Sequence, residues 1–385
     1  MPIQKITIEQ FLELAKQHPV FDVRSPGEYN HAQIPGAYSL PLFTDEERKI
    51  VGTAYKQQSR EAAIKIGLDF FGVKMKSIIE ETESIVSRFS FPVTGSPLKE
   101  PKNLMAPNEQ QETRNVLVHC WRGGMRSAGV AWLLDLYGFK VYTLVGGYKA
   151  YRKWVLAQFE KDYNFNIIGG YTGSGKTLLL HELKKQNQTV IDLEALANHK
   201  GSAFGAIGEK AQPKQEMFEN SLAQALAEVR NMKSEMNAIS DLRLPSSIVY
   251  LEDESQRIGN LQIPMPLWTT MRKSPVYFLD IPFAKRLEYI TEEYGKFEKE
   301  NLADAILRIQ KRLGGLATKE AMGYLEEGKY RESFRILLNY YDKWYTKGLQ
   351  NRENLSSLLN KIPCSGVDTQ INTEKILSCN PVAAS

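Results

Sequence analysis

The sequence predicts an α/β protein built of two parallel-sheet domains, the second ending in a helical part. Three observations carry this expectation. Short apolar strands alternate with helical stretches along most of the chain. Two glycine-bearing loops, Cys120–Ser127 and Gly169–Thr177, each sit between a strand and a helix. The length of 385 residues exceeds one ordinary core at roughly 150 residues per domain. The expected division is a first domain over 1–158, a second over 159–360, and a flexible tail over 361–385.

Within the first domain, Pro19–Arg24 reads as a strand that ends in the turn residues Ser25-Pro26-Gly27. From Asp45 to about Val86 the pattern is helical, with few glycines and many Lys, Glu, Ala and Ile residues. Residues 90 to 115 break it with four prolines in a polar stretch, the signature of a loop. Asn115–His119 is a buried strand running into the Cys120 loop, then a helix over Ala128–Tyr137, a strand over Lys140–Leu144 and a helix over Tyr148–Phe159. The second domain opens with the strand Phe165–Ile168 and a helix over Leu178–Lys185. Further strands are Val190–Asp192, Ile248–Leu251 and Val276–Asp280. After residue 300 the chain reads as wholly helical, and from Ser365 it is polar and expected to fray.

Composition narrows the class. An apolar fraction of 42% and a charged fraction of 24% are those of a globular protein and exclude wholesale disorder. No run approaches the roughly 18 apolar residues of a membrane span, and the first residues lack the pattern of a secretory signal. Three cysteines, Cys120, Cys364 and Cys379, make no disulfide framework. A cytoplasmic protein without membrane contact is expected. The net charge of +4 permits nucleic-acid binding, but the excess is shared equally about residue 150, so charge does not say where a polyanion would lie.

Two motifs carry chemistry. Gly170, Gly173, Ser174, Gly175, Lys176 and Thr177 fit the phosphate-binding loop G-x-x-x-x-G-K-[ST], with a strand before and a helix after. Its glycines let successive N–H groups turn around an oxyanion, and the helix N-terminus adds a favourable dipole. Lys176 supplies a point charge, and Thr177 a hydroxyl for Mg²⁺ where a metal is used. In the second motif, Cys120 ends a strand beside Arg122, Gly123, Gly124 and Arg126. Backbone amides, helix dipole and guanidinium charge there favour thiolate over thiol and would cradle an anionic chalcogen on the sulfur. Cys364 and Cys379 lack such surroundings and read as small hydrophobes.

Asp22–Tyr29, Ile34-Pro35-Gly36-Ala37, the Cys120 loop and Leu144-Val145-Gly146-Gly147 together resemble the rhodanese domain. One departure is Ala32-Gln33-Ile34, where that family usually has Gly-His-Ile, so no histidine role is implied there. A rhodanese-like domain followed at once by a phosphate-binding loop resembles the tRNA 2-selenouridine synthase family. Asp192-Leu193-Glu194, Ala197–Gly205, Glu252–Ser255, Arg257-Ile258-Gly259 and Tyr340-Tyr341-Asp342 extend the likeness to about residue 345.

The resemblance implies a P-loop NTPase-like second domain and a transferase that converts wobble 2-thiouridine in tRNA to 2-selenouridine. It implies two co-substrates, geranyl diphosphate and selenophosphate, and no covalently bound cofactor. A geranyl group is first moved onto the sulfur; selenium, carried by Cys120, then displaces the geranylated sulfur. The Gly170–Thr177 loop would hold the diphosphate. Asp192 and Glu252 would place Mg²⁺ or a proton, or serve as caps and ion-pair partners. Arg308, Lys311 and Arg312 would meet tRNA phosphates, or form a solvated face. Two rival classes share these motifs: a rhodanese-type sulfurtransferase with an ATP-binding regulatory domain, and a non-catalytic tRNA adaptor. Joint presence of Cys120, Lys176 and Thr177 argues against the adaptor.

Overall fold

The computed structural model describes residues 3–89, 114–239 and 248–379. The chain divides into two compact units, Met1–Leu156 and Ala157–Ser385.

In the first unit, β1 (Gln4–Ile6) and α1 (Ile8–Ala15) precede β2 (Val20–Asp22), α2 (Pro26–His31) and β3 (Tyr38–Ser39). Two helices follow, α3 (Asp45–Gln57) and α4 (Arg60–Phe89), then β4 (Asn115–His119), α5 (Met125–Tyr137), β5 (Lys140–Leu144) and α6 (Gly147–Gln158). The five strands form a parallel sheet in the order β1-β5-β4-β2-β3. The core lies where Phe21, Val116 and Val118 of the sheet meet Val130 and Leu134 of α5, all 0% exposed. Over its 30 residues α4 buries Ala63, Gly67, Phe71, Ile78, Thr82 and Ile85. Their spacing of three, four or seven is the stripe of a helix with one inward face. Thr44 caps α3 reciprocally with Glu47, which satisfies two otherwise orphaned amides, and Glu47 also pairs with Lys74 of α4.

The second unit runs β6 (Phe165–Gly170), α7 (Lys176–Lys185), β7 (Thr189–Val190), α8 (Leu193–Ala197), α9 (Gln215–Ile239), β8 (Val249–Glu252), β9 (Arg257–Ile258), β10 (Leu261–Gln262), α10 (Met265–Arg272) and β11 (Val276–Asp280). Then come α11 (Phe283–Tyr294), α12 (Lys299–Leu313), α13 (Gly315–Glu326), α14 (Tyr330–Gln350), α15 (Leu355–Leu358), β12 (Leu359–Pro363) and α16 (Thr369–Ser378). Its parallel sheet has the order β12-β11-β6-β8-β7, and β9 and β10 form a separate antiparallel pair. A second apolar cluster joins α11 to α14 through Leu287, Leu302, Ile306, Phe334 and Leu338. Each sheet thus has its chemistry-bearing loop at the C-terminal end of its middle strand, β4 or β6, where parallel α/β sheets place ligands.

Two expectations are corrected. The stretch after residue 300 is not wholly helical, because β12 pairs with β11 along five residues, Val276↔Leu359 to Asp280↔Pro363. The segment 361–385 is not a free tail over its described part. Asp368 caps α16 by accepting from the Ile371 amide at 2.9 Å, and Ile376 and Cys364 are buried with Leu179 and Leu183 of α7. The strand escapes a sequence reading because only Ile362 of Leu359–Pro363 is buried; its hydrogen-bond partner, not its own pattern, makes it a strand. Two smaller revisions concern helix starts: α5 begins at Met125 and α7 at Lys176, inside their loops. The loop expected over 90–115 falls outside the described residues from 90 to 113.

Candidate functional site

The cysteine site is built on the end of β4. Cys120 is 3% exposed, and its Sγ lies 3.2 Å from Oγ of Ser127 in the first turn of α5. The Ser127 hydroxyl can donate to the Gly124 carbonyl, 3.0 Å away. One hydroxyl proton serves one acceptor at a time, so Ser127 can accept from a thiol or turn its proton onto a thiolate or persulfide. The loop is stapled to α6 by the Tyr148 amide on the Cys120 carbonyl at 2.8 Å and the Lys149 amide on Trp121 at 3.0 Å. Gly147 makes this approach possible: with φ +58, a Cβ there would stand 2.3 Å from the Cys120 carbonyl oxygen.

The two arginines of the loop differ. Arg122 is exposed. Arg126 donates to Glu28 at 2.7 Å, and Arg48 donates to the same carboxylate oxygen at 2.7 Å. Burial pushes the Glu28 carboxyl up, but its bonds and charge contacts with Arg126 and Arg48 outweigh burial and hold it at about 2. Arg126 is therefore a clamp between α5 and α2. Beneath the loop, Arg24 forms a fully buried pair with Asp22, with Nη2 at 2.5 Å, and lies 3.8 Å over the Tyr148 ring. His119, adjacent to the cysteine, stacks on Tyr148. Burial lowers its pKa, so its ring is neutral near pH 7.

The phosphate loop leaves the middle strand of the second sheet. Lys176 Nζ donates to the Gly170 carbonyl at 3.1 Å, closing the loop on itself. Thr177 Oγ1 donates to Glu194 at 2.7 Å. Ser174 is buried, and its Oγ has no hydrogen-bond partner. The loop is held from α11 and α14. Arg286 donates to the Thr172 carbonyl at 3.0 Å and grips Asp342 through two nitrogens at 2.9 and 2.7 Å. The Tyr345 hydroxyl accepts from the Gly170 amide at 3.1 Å and donates to Asp253 at 2.7 Å. Asp253 in turn accepts from Arg352 at 2.5 Å.

Three glutamates stand behind Thr177. Burial, then the charges of Asp192 and Glu194, raise Glu252 well above the usual carboxylate range. Burial, then the charge of Glu194, does the same for Glu254. Glu254 hydrogen-bonds Glu194, whose own pKa is raised by burial against the pull of Lys176 and Thr177. Of the two, Glu254 is the one raised well above the usual carboxylate range, and Glu194 is the acceptor for Thr177. Asp192 caps α8 through the Ala195 amide at 2.7 Å and meets His181 at 3.0 Å, and Glu252 accepts from the Leu193 amide at 3.2 Å. Among the described residues no group of three or more His, Cys, Asp or Glu side chains is arranged to hold a metal ion. Arg308, Lys311 and Arg312 lie exposed on α12.

A family profile described as the tRNA 2-selenouridine synthase AAA domain matches residues 163–361. A tRNA 2-selenouridine synthase of Bdellovibrio bacteriovorus is 32% identical over 91% of this chain and 94% of its own length.

The chain belongs to the tRNA 2-selenouridine synthase family.

Relatives bearing that name in Nitrosomonas europaea, 36% identical over 72% of this chain and 63% of theirs, and in Sulfurovum, 32% identical over 85% and 84%, agree. For this family member, sequence reasoning located both loops but missed the groups that hold them. Ser127, Glu28, Glu194, Glu254, Arg286 and Tyr345 each bond an atom between 7 and 175 positions away. Ser127, Glu28, Glu194, Glu254 and Asp342 stood inside stretches matched to the family, the one signal that could have singled them out. No described helix is long and apolar enough to cross a membrane.

Proposed function

We propose that this chain converts wobble 2-thiouridine in tRNA to 2-selenouridine in two transfers, each served by one loop. The observation that supports this most directly is the joining of a cysteine nest to a phosphate loop, in a family named for that product. In the first transfer, the thiocarbonyl sulfur uses a lone pair to attack C1 of geranyl diphosphate. The C1–O bond breaks, pyrophosphate leaves with the electron pair, and the base loses its N3 proton to become neutral. The backbone amides of Gly173–Thr177 and the Lys176 ammonium stabilise the charge gathering on the leaving diphosphate. A Mg²⁺ ion, where used, would neutralise that charge further, and Thr177 and Glu194 are the residues that would hold it.

In the second transfer, a selenium nucleophile derived from selenophosphate attacks C2, and the geranylated sulfur departs as a thiolate that takes a proton. Cys120 carries the selenium: starting as a mixed disulfide with a small thiol, its Sγ is attacked by the selenide that hydrolysis of selenophosphate supplies, the S–S bond breaks, the small thiol leaves with a proton, and Ser127 donates to the anionic selenium. Because Cys120 is 3% exposed, a selenium on Sγ usefully adds about 2 Å of reach. Attack by such a selenopersulfide leaves the base joined to Cys120 through Se–S, and a small thiol must reduce that bond. The wobble base is reachable only unstacked from its loop, and Arg308, Lys311 and Arg312 are expected to meet the phosphates around it.

The test is nucleoside mass analysis after incubating 2-thiouridine tRNA with geranyl diphosphate and selenophosphate. Lys176→Ala should cut geranylation by about 100-fold or more. Cys120→Ser should leave geranylated tRNA to accumulate without selenouridine. Normal geranylation by the first variant, or full selenation by the second, refutes the corresponding assignment.

A further inference from the structure

Around its buried thiol the Cys120 loop presents an exposed rim that the selenium chemistry above does not employ. Trp121 follows the cysteine directly and is 37% exposed; Met125 and Val145 are 49% and 55% exposed. Arg122 and Lys149 are exposed as well. These residues sit on two segments in backbone contact. A Cβ on Gly123 would stand 2.5 Å from the Leu144 carbonyl oxygen, and the Lys149 amide donates to the Trp121 carbonyl at 3.0 Å.

The Trp121 ring is braced from within. It lies 5.7 Å from the ring of Tyr148, which stacks on His119 and carries Arg24 at 3.8 Å. Tyr148 is fully buried, and its amide holds the Cys120 carbonyl. The indole and the nucleophile therefore share one support. A lone exposed apolar residue means little by itself; the charges around this one give it meaning. Every charged side chain in Cys120–Ser127 and Leu144–Lys153 is a cation. Arg126 is spent on Glu28, whereas among the described residues no carboxylate pairs with Arg122 or Lys149. An aromatic face with unpaired cations and no acid beside it suits an unstacked base and its flanking phosphates. A small inorganic donor needs only the cations.

We propose that Trp121 is the platform on which the wobble base of tRNA stacks after leaving the anticodon loop, with Arg122 and Lys149 meeting the flanking phosphates. This rests on reading Cys120 as the selenium carrier, and it adds which residue holds the base there. Stacking on the indole replaces the neighbours that the base loses on extrusion. It does not depend on the substituent at C2, so it serves the geranylated base. Selenium adds to C2 from above the ring plane, and a base held by one face keeps the other open to it.

The experiment irradiates the full-length protein with tRNA bearing 5-iodouridine at the wobble position and maps the crosslink by mass spectrometry. The expected label is on Trp121. Trp121→Leu keeps an apolar side chain against Tyr148 but has no aromatic face. It should raise KM for geranylated tRNA in the selenation step by roughly 10- to 100-fold, and Trp121→Phe should recover most of that loss. Replacing Arg122 and Lys149 together by alanine should lower the slope of log K against log salt by about 1. Should the leucine variant disturb the loop, seen as a changed rate of Cys120 alkylation by iodoacetamide, the wild-type crosslink decides. Bound tRNA without a label on Trp121, an unchanged KM in Trp121→Leu, or equal losses in the leucine and phenylalanine variants overturns the platform. Each of these spares Cys120 as carrier, which Cys120→Ser tests separately. Absence of tRNA binding overturns both.

Discussion

Glu28 and Glu252 are carboxyls moved in opposite directions, and each makes stability depend on pH with its own sign. Glu28 is held at about 2 against an ordinary 4.5. Its contribution is therefore complete above pH 4.5 and drains away as pH falls from there toward 2. Neutral, buried His119 adds a loss in the same direction as pH falls through 6.5, because only the unfolded chain then binds the proton readily. Glu252 is raised, so its contribution is complete below 4.5 and is lost as pH rises from 4.5 through its higher folded value. Calorimetric melting across pH should show the two trends separately. Glu28→Gln should destabilise the first unit at pH 7 by about 1–2 kcal/mol, solvent screening allowed for. Glu252→Gln should flatten the decline of the second unit as pH rises above 4.5; an unchanged slope would show that Glu252 is ionised in the folded protein. At this scale Cys120 and Lys176 were legible because local spacing marks them. Ser127 and Glu28 were not, since their roles come from contacts across the fold.

Among the elements, β12 and α16 depend most on tertiary context. Ile362, Cys364 and Ile376 are each 5% exposed or less, and β12 completes a five-residue ladder on β11. Burying these three side chains contributes about 4–6 kcal/mol, a large share of the roughly 5–15 kcal/mol of an ordinary domain. A chain ending at Leu358 should lose the cooperative unfolding transition of the second unit while the first keeps its own. Two preserved transitions in scanning calorimetry would show that the segment is dispensable. The helices α4, α5 and α7 were readable beforehand because buried residues recur along them at helical spacing. A strand with one buried residue offers no period to read.

Over the whole molecule, the net charge of +4 is too small to draw a polyanion unaided, so tRNA affinity should depend on where cations cluster. Replacing Arg308, Lys311 and Arg312 together by alanine should weaken tRNA binding for all sequences alike and reduce the slope of log K against log salt by about 2–3. Filter binding from low to moderate salt measures both, and an unchanged slope would mark this face of α12 as merely solvated. The sequence by itself determined that there are two α/β units and which loop in each bears the chemistry. Those features follow from backbone geometry and hydrophobic period over a few residues, which the chain encodes locally. Only the tertiary structure decided that both loops leave the middle strand of a five-stranded sheet, that α14 braces the phosphate loop, and that Arg286 of α11 grips it. Strand order and helix docking are set by which distant surfaces bury each other best, and no short stretch of sequence contains that comparison.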